Sequence, residues 1–126
     1  MKILLVEDQP LNVELFRDLL TDDGIDVRQV DTAEEALVLA RSDRPDLILM
    51  DVSLPGMDGL EATRILKASP ETAGIFIVVL TARAMKGDEE EARAAGCDAY
   101  LTKPINTRTF AATLHSFLGA GQIGDR

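Results

Sequence analysis

Short runs of consecutive apolar residues recur along the chain, and each run stops at a polar residue. The clearest runs cover residues 3–6, 47–50 and 75–80, and a weaker one begins at residue 99. Continuous apolar runs of this length are typical of strands that are buried on both faces, as in a parallel sheet. Residues 25–30 instead alternate between apolar and polar side chains, which predicts a half-exposed strand near one edge of that sheet.

Apolar residues between these runs recur at helical spacing. The first helix is predicted to bury a stripe of four leucines, Leu11, Leu15, Leu19 and Leu20. Gly24 is expected to end this helix, because glycine tolerates the left-handed backbone that often follows a helix. Thr32 with Glu35 has the spacing of a capping box for the second helix, and Asp58 with Glu61 has the same spacing for the third. We therefore interpret Asp58 as a helix cap.

The last two predicted helices differ in character. Residues 84–95 are rich in charged side chains and poor in large apolar ones, so a polar and loosely anchored fourth helix is expected there. Asn106 is predicted to cap a fifth helix, whose apolar face carries Phe110, Leu114, Phe117 and Leu118. The glycine-rich residues 119–126 predict a flexible tail, which leaves one domain over residues 1–118.

This order of elements predicts the fold class. Five strands that alternate with five helices indicate an α/β fold, with a five-stranded parallel sheet and helices on both faces, because each crossover between parallel strands is right-handed. The second and fifth strands have the character of edge strands. They favour the strand order 2-1-3-4-5, which is that of flavodoxin-like folds.

Composition narrows the range of partners. The chain of 126 residues carries 13 basic and 22 acidic side chains, a net charge of −9, which opposes binding to nucleic acid or to an anionic membrane. Glu7 and Asp8 follow the first apolar run too early for a signal peptide, and no apolar run approaches the roughly 20 residues of a membrane-spanning helix. Cys97 is the only cysteine, so no disulfide can form within the chain. We expect a soluble, cytoplasmic protein that binds proteins or cations.

Polar residues follow the predicted parallel strands at the point where each strand ends. Glu7 and Asp8 follow the first strand, Asp51 ends the third, Thr81 ends the fourth, and Lys103 follows the fifth. Open parallel sheets bind ligands at the edge formed by the carboxyl ends of their strands, so these residues are expected to lie together. Carboxylates this close repel one another without a cation, and oxygen ligands suit Mg²⁺. Mg²⁺ is the implied cofactor, with Mn²⁺ as an alternative.

The other residues at this edge suit a phosphoryl group. Lys103 supplies a point charge for a phosphoryl oxygen, and Thr81 supplies a hydroxyl donor. Ala82 is small enough to leave room for a group attached to Asp51. Together they describe a phosphoryl pocket around an aspartate nucleophile.

Five motifs in chain order resemble the receiver domain of response regulators in bacterial two-component signalling. They are Glu7-Asp8, Asp51 before Leu54-Pro55-Gly56-Met57-Asp58-Gly59, Thr81-Ala82, Tyr100, and Lys103-Pro104. The resemblance covers essentially the whole chain apart from the tail. It implies that Asp51 accepts a phosphoryl group from a histidine kinase or a histidine phosphotransfer protein. Residues 81–90 further resemble the single-domain regulators of the DivK type.

The resemblance also implies how the metal is held. Glu7, Asp8, Asp51 and the backbone carbonyl of Ser53 are expected to arrange Mg²⁺. Glu7 departs from the family pattern, in which Asp is common at this position. Its longer side chain leaves open whether it contacts the metal directly or through water.

Further roles follow from the same resemblance. Thr81, Ala82 and Lys103 are expected to contact the phosphoryl group, and Lys103–Pro104 is expected to be a cis peptide, which is rare outside bonds to proline. Thr81 and Tyr100 are expected to form a switch, although Tyr100 could simply pack against the last helix. Ser53 and Arg83 occupy positions that vary in the family and tune how long the phosphoryl group survives.

The predicted function is therefore that of a phosphoacceptor module and not of an independent enzyme. Phosphorylation is expected to shift a two-state equilibrium that a downstream protein reads at the surface of the fourth helix, fifth strand and fifth helix. A receiver domain excised from a hybrid kinase has the same features. A phosphatase would require a second carboxylate where Ser53 stands, and a flavin carrier would not place two acidic residues in its phosphate loop. His115 is expected to be a surface residue.

Overall fold

Strands and helices alternate through the residues that the structure describes, which are 1–82 and 87–124 of a computed structural model. The strands are β1 (Lys2–Val6), β2 (Asp26–Val30), β3 (Leu47–Asp51), β4 (Phe76–Thr81) and β5 (Ala99–Thr102). The helices are α1 (Pro10–Asp22), α2 (Ala33–Asp43), α3 (Gly59–Ala68), α4 (Asp88–Ala94) and α5 (Phe110–Gly124). Each strand is thus followed by a helix, as the sequence predicts.

The five strands form one parallel sheet in the order β2-β1-β3-β4-β5. This confirms the predicted fold class and strand order. All five residues of the central strand β3 are buried, because helices cover both faces of the sheet. The carboxyl ends of β1, β3, β4 and β5 therefore lie along one edge of the sheet, the edge that carries Glu7, Asp8 and Asp51.

Two hydrophobic layers hold the helices on the sheet. Side chains of β1 alternate between them: Leu4 and Val6 face α2 and α3, whereas Ile3 and Leu5 face α1 and α5. All four are buried. Truncating a fully buried Leu or Ile to Ala typically costs about 2–5 kcal/mol, so both layers contribute to stability. No helix in the described part of the chain is long and apolar enough to cross a membrane.

The buried face of α1 differs from the leucine stripe that the sequence predicts. Leu11 is 82% exposed and Leu15 is 40% exposed, whereas Phe16 is 2% exposed and Leu20 is fully buried. The ring of Phe16 packs on the ring of Phe110 in α5, with 5.4 Å between ring centroids. The prediction was wrong for Leu11 and Leu15, because it followed the leucines and overlooked the aromatic residue that orients the helix.

The predicted capping residues of α2 and α3 are confirmed. The Thr32 hydroxyl oxygen accepts a hydrogen bond of 3.2 Å from the Glu35 backbone N–H. The Asp58 carboxylate accepts one of 2.9 Å from the Glu61 N–H. These bonds satisfy backbone donors that the first turn of a helix leaves free.

The start of α5 was predicted too early. The Asn106 carboxamide oxygen accepts a bond from the Arg108 N–H, so Asn106 opens a separate turn and the helix begins at Phe110. The helix runs to Gly124, past the domain boundary expected at residue 118. The flexibility of residues 119–126 stays a prediction. The expected start of the fourth helix at residue 84 and the role of Arg83 lie outside the described residues.

Candidate functional site

Side chains from the ends of four strands meet at one edge of the sheet. Glu7, Asp8 and Asp51 each offer a carboxylate oxygen, and these oxygens lie within 4.8 Å of one another. The Lys103 ammonium lies 2.8 Å from Glu7 Oε1 and 3.4 Å from Asp51 Oδ2. The buried side chain of Thr81 ends β4 beside them. The structure therefore brings together the five residues that the strand ends predict.

The backbone around Asp51 fixes the position of its carboxylate. Asp51 is the last residue of the fully buried strand β3, and its Oδ1 accepts a hydrogen bond of 3.2 Å from the Ser53 N–H. Gly59 begins α3 directly against this strand end: a Cβ atom at Gly59 would lie 2.2 Å from the Asp51 carbonyl oxygen. Glycine at this position is what allows α3 to approach the end of β3.

Without a bound cation, the surroundings of Asp51 disfavour the ionised form of its carboxyl group. Burial and, after it, the neighbouring charge of Glu7 raise the pKa of the Asp51 carboxyl from 3.8 to about 6, against the opposing effects of Lys103 and the Ser53 N–H. Removing water penalises the charged form, and a nearby like charge does the same. An added divalent cation would favour the ionised form, which is the nucleophilic form.

The donor set fits a hard divalent cation. Asp8 Oδ1 is buried and has no hydrogen-bond partner among the described residues. An unsatisfied buried acceptor costs about 1–3 kcal/mol, and a bound cation would remove that cost. Three carboxylates are oxygen ligands of the kind that Mg²⁺ and Mn²⁺ prefer.

Both carboxylate oxygens of Glu7 already have partners. Oε1 accepts from the Lys103 ammonium at 2.8 Å and Oε2 accepts from the Gln9 N–H at 3.2 Å. Glu7 is fully buried, so these bonds compensate for the loss of water around its charge. In this arrangement Glu7 binds Lys103, whereas Asp8 Oδ1 has no hydrogen-bond partner among the described residues.

The phosphoryl side of the site is built from β4 and β5. The Lys103 N–H donates to the Thr81 carbonyl at 2.7 Å, which ties these two predicted phosphoryl ligands together. The Lys103–Pro104 peptide bond is cis, the isomer that the resemblance implied. Ala82 follows Thr81 and is exposed, and Tyr100 is half-buried on β5. Thr81 and Tyr100 line one cavity of about 190 Å³ between α3 and α4.

Other candidate residues lie away from this edge. His115 is exposed on α5 and contacts Asp23 at the end of α1, which confirms it as a surface residue. Cys97 is buried, and burial raises the pKa of its thiol. Sequence reasoning missed the close approach at Gly59 and a hydrogen-bonding role for Gln29, whose amide contacts the Glu7 carbonyl. A polar residue next to a strand end was the only signal for Gln29.

Comparison with known proteins identifies the family. Residues 3–115 match the model of the response regulator receiver domain. The chain belongs to this family. The receiver domain is 49% identical over 117 residues to the polar-differentiation response regulator DivK of Brucella anthropi, an alignment that covers 93% of this chain and 95% of that protein. It is 48% identical to DivK of Brucella ovis over the same length. The predicted resemblance to DivK-type regulators is thereby confirmed.

Solved structures share the fold. The receiver domain of a sensor histidine kinase from Pseudomonas aeruginosa, which has a magnesium ion coordinated in its active site cleft, is 37% identical with a TM-score of 0.86, covering 94% of this chain and 97% of that chain. The phosphorylated cyanobacterial phytochrome response regulator RcpA is 26% identical with a TM-score of 0.81, covering 95% of this chain and 94% of that chain. A solved receiver domain that is similar to this chain thus binds magnesium in its own active site cleft.

Proposed function

We propose that this receiver domain is the phosphoacceptor of a two-component phosphorelay. A histidine kinase or a histidine phosphotransfer protein would present a phosphohistidine to Asp51. A carboxylate oxygen of Asp51 attacks phosphorus, the phosphorus–nitrogen bond breaks, and the imidazole leaves with a proton from solvent. The observation that carries the proposal is the placement of the buried Asp51 carboxylate between two other carboxylates and the Lys103 ammonium.

The residues around Asp51 suit an associated cation. Asp8, Asp51 and the backbone carbonyl of Ser53 would hold Mg²⁺, and Mn²⁺ could replace it. Glu7 would reach the cation through water, because both of its oxygens already have partners in the protein. When bound, the cation supplies positive charge to the phosphoryl oxygens. It would also favour the ionised form of Asp51, whose pKa is raised first by burial and then by repulsion from Glu7.

Three residues would stabilise the transferred group. Lys103 would move its ammonium from Glu7 to a phosphoryl oxygen, a short displacement because it already lies 3.4 Å from Asp51. The Thr81 hydroxyl would donate to a second oxygen. Ala82, which is exposed beside the site, leaves space for the group and for the incoming donor. These contacts form only with the phosphoryl group, so they favour the phosphorylated conformation.

The signal would leave through the surface of α4, β5 and α5. Thr81 and Tyr100 line the same cavity, so movement of Thr81 toward the phosphoryl group would free space for the Tyr100 ring. A second groove, of about 440 Å³, lies between β5 and α5 and is lined by Tyr100, Ile105 and Phe110. A downstream protein that binds this surface would distinguish the two states. The acidic balance of the chain favours a protein partner over nucleic acid or a membrane.

The proposal also covers enzymatic activity, domain organisation and localisation. No substrate turnover beyond the domain's own phosphorylation and dephosphorylation is expected. The match to 95% of the length of DivK favours a regulator of that kind. The proposal includes a single-domain, cytoplasmic protein with its domain over residues 1–118 and a flexible tail over residues 119–126. The alternative is a receiver domain that belongs to a hybrid kinase. The Pseudomonas aeruginosa neighbour is the receiver domain of a sensor histidine kinase.

Phosphorylation with a small donor tests the assignment. Incubation with acetyl phosphate and Mg²⁺ should increase the intact mass by one phosphoryl group. The Asp51→Asn variant should show no increase, because the amide cannot form the acyl phosphate. The matched control Asp26→Asn changes an exposed carboxylate on β2 and should be labelled like the wild type. Labelling that persists in Asp51→Asn would refute the assignment.

A further inference from the structure

Gln29 sits at the end of β2 with its side-chain amide directed at the acidic loop after β1. Its Nε2 donates to the Glu7 carbonyl at 3.0 Å and to Asp31 Oδ1 at 2.7 Å. Both acceptors are oxygens, so the opposite orientation of the amide would place oxygen against oxygen. Both N–H bonds of the amide are therefore used, and the side chain has one favourable orientation.

This side chain replaces a missing backbone bond of the sheet. The Glu7 N–H donates to the Val30 carbonyl at 3.1 Å, which continues the parallel pairing of β1 with β2 by one residue. In a parallel ladder the Glu7 carbonyl would next accept from the N–H of Thr32. Thr32 is instead the N-cap of α2, and the Gln29 amide takes its place. Both backbone groups of Glu7 are thus held by residues of β2.

The consequence reaches Asp8 through the chain. The Glu7 carbonyl belongs to the peptide unit that links Glu7 to Asp8, and a peptide unit is planar. Fixing that carbonyl therefore fixes the plane from which the Asp8 side chain departs. Asp8 carries the buried oxygen that has no partner among the described residues. Asp8, Gln29 and Asp31 also line one groove beside this loop, so they form a contiguous group.

We propose that Gln29 is a positioning residue of the cation site, which aims the Asp8 carboxylate by holding the Glu7–Asp8 peptide. The inference rests on the proposed function, because it presupposes that a divalent cation binds at Asp8. Partners that orient metal-binding residues typically contribute 10- to 100-fold to metal affinity. Gln29 acts through one intervening peptide, so we expect its loss to weaken binding by about tenfold.

Gln29→Met tests this role because methionine has nearly the same shape and no N–H donors. Mn²⁺ is the probe, since the paramagnetic signal of the free hydrated ion disappears on binding and gives the dissociation constant directly. Wild type, Gln29→Met and Asp8→Asn are titrated well below their melting temperatures, after circular dichroism confirms that each is folded. Arg28→Met is the matched control, because it replaces an exposed polar side chain on the same strand. Melting temperatures are measured separately in EDTA.

The expected result is a dissociation constant about tenfold higher for Gln29→Met and no weakening for Arg28→Met. The melting temperature of Gln29→Met in EDTA should fall by only about 3–5 °C, because one part-buried hydrogen bond is lost. Metal-free ¹⁵N spectra should change around residues 7–8 and 29–31. Wild-type affinity in Gln29→Met would overturn the inference, as would weakened binding with spectral changes spread over the whole sheet. If the wild type itself bound no Mn²⁺, or Asp8→Asn bound it equally well, the cation site of the proposed function would fail instead.

Discussion

Replacing Asp51 by asparagine is expected to stabilise the metal-free protein. Asn keeps the shape of the carboxyl group but removes the charge that burial and Glu7 make unfavourable. The pKa of Asp51 rises from 3.8 to about 6 on folding, and each pKa unit corresponds to about 1.4 kcal/mol. The ionised carboxylate therefore costs the folded state up to about 3 kcal/mol above pH 6. We expect a net gain of about 1–3 kcal/mol for Asp51→Asn, because the ion pair with Lys103 is lost and the hydrogen bond from Ser53 is weakened at the same time.

The pH dependence gives the sign of the effect. A group whose pKa is higher in the folded state contributes its full stability below the unfolded pKa, and that contribution is lost as pH rises through the folded pKa. The contribution of Asp51 to the free energy of unfolding of the wild type should therefore fall as the pH rises from about 4 to 6. Asp51→Asn should lack this fall, so the two proteins should differ little at about pH 4 and most above pH 6.

Urea unfolding in EDTA, followed by circular dichroism at the two ends of this range, measures the difference. For a domain of this size, about 1 kcal/mol shifts the melting temperature by roughly 3–5 °C, so a gain of about 1–3 kcal/mol should raise the melting temperature by about 3–15 °C near neutral pH. Asp26→Asn, an exposed carboxylate, should change stability by less than about 0.5 kcal/mol. A variant no more stable than wild type near neutral pH, or equally stabilised at about pH 4, would refute the reasoning.

Three further substitutions test close contacts at and away from the site. Gly59→Ala should lower the free energy of unfolding by about 3 kcal/mol or more, because its Cβ would lie 2.2 Å from a backbone oxygen. Gly74→Ala should be nearly neutral, because the space around its Cβ is open. Equal effects of the two substitutions in urea unfolding would contradict the close approach at Gly59. Phe16→Ala should lower the free energy of unfolding by about 3–5 kcal/mol, and Leu11→Ala by less than about 0.5 kcal/mol. The reverse order would show that α1 buries its leucines, as the sequence pattern predicts. Lys67→Met removes hydrogen bonds to three oxygens and should lower the free energy of unfolding by about 2–4 kcal/mol. It should leave the affinity for Mn²⁺ unchanged, and a changed dissociation constant for Mn²⁺ would contradict this prediction.

The sheet and its functional edge could be predicted because their signals are local. The buried runs that became β1, β3 and β4 identify themselves by their length and apolar character. Right-handed crossovers then leave few possible topologies. Once the strand order is known, the acidic and basic residues at strand ends must converge, whatever their separation along the chain.

The features that escaped prediction depend on contacts between distant segments. The orientation of α1 is set by Phe16 packing on Phe110 of α5, and an amphipathic pattern within one helix does not contain that information. Gly59 belongs to a recognisable loop, but its need for glycine arises only when α3 lies against the end of β3. Gln29 becomes meaningful only when β2 pairs with β1.

The resting position of Lys103 bears on how easily the domain can return to its starting state. Its ammonium is bonded to the fully buried Glu7, so a carboxylate compensates its charge when no phosphoryl group is present. Under the proposed function, phosphorylation exchanges one anionic partner for another and hydrolysis reverses the exchange. When the ammonium leaves, the fully buried Glu7 keeps its bond from the Gln9 N–H and would face the cation through water, which limits the cost of several kcal/mol that an unpaired buried charge would carry. The domain is thus built for repeated cycling between two compensated states, and the surrounding core need not rearrange to absorb an unpaired ion.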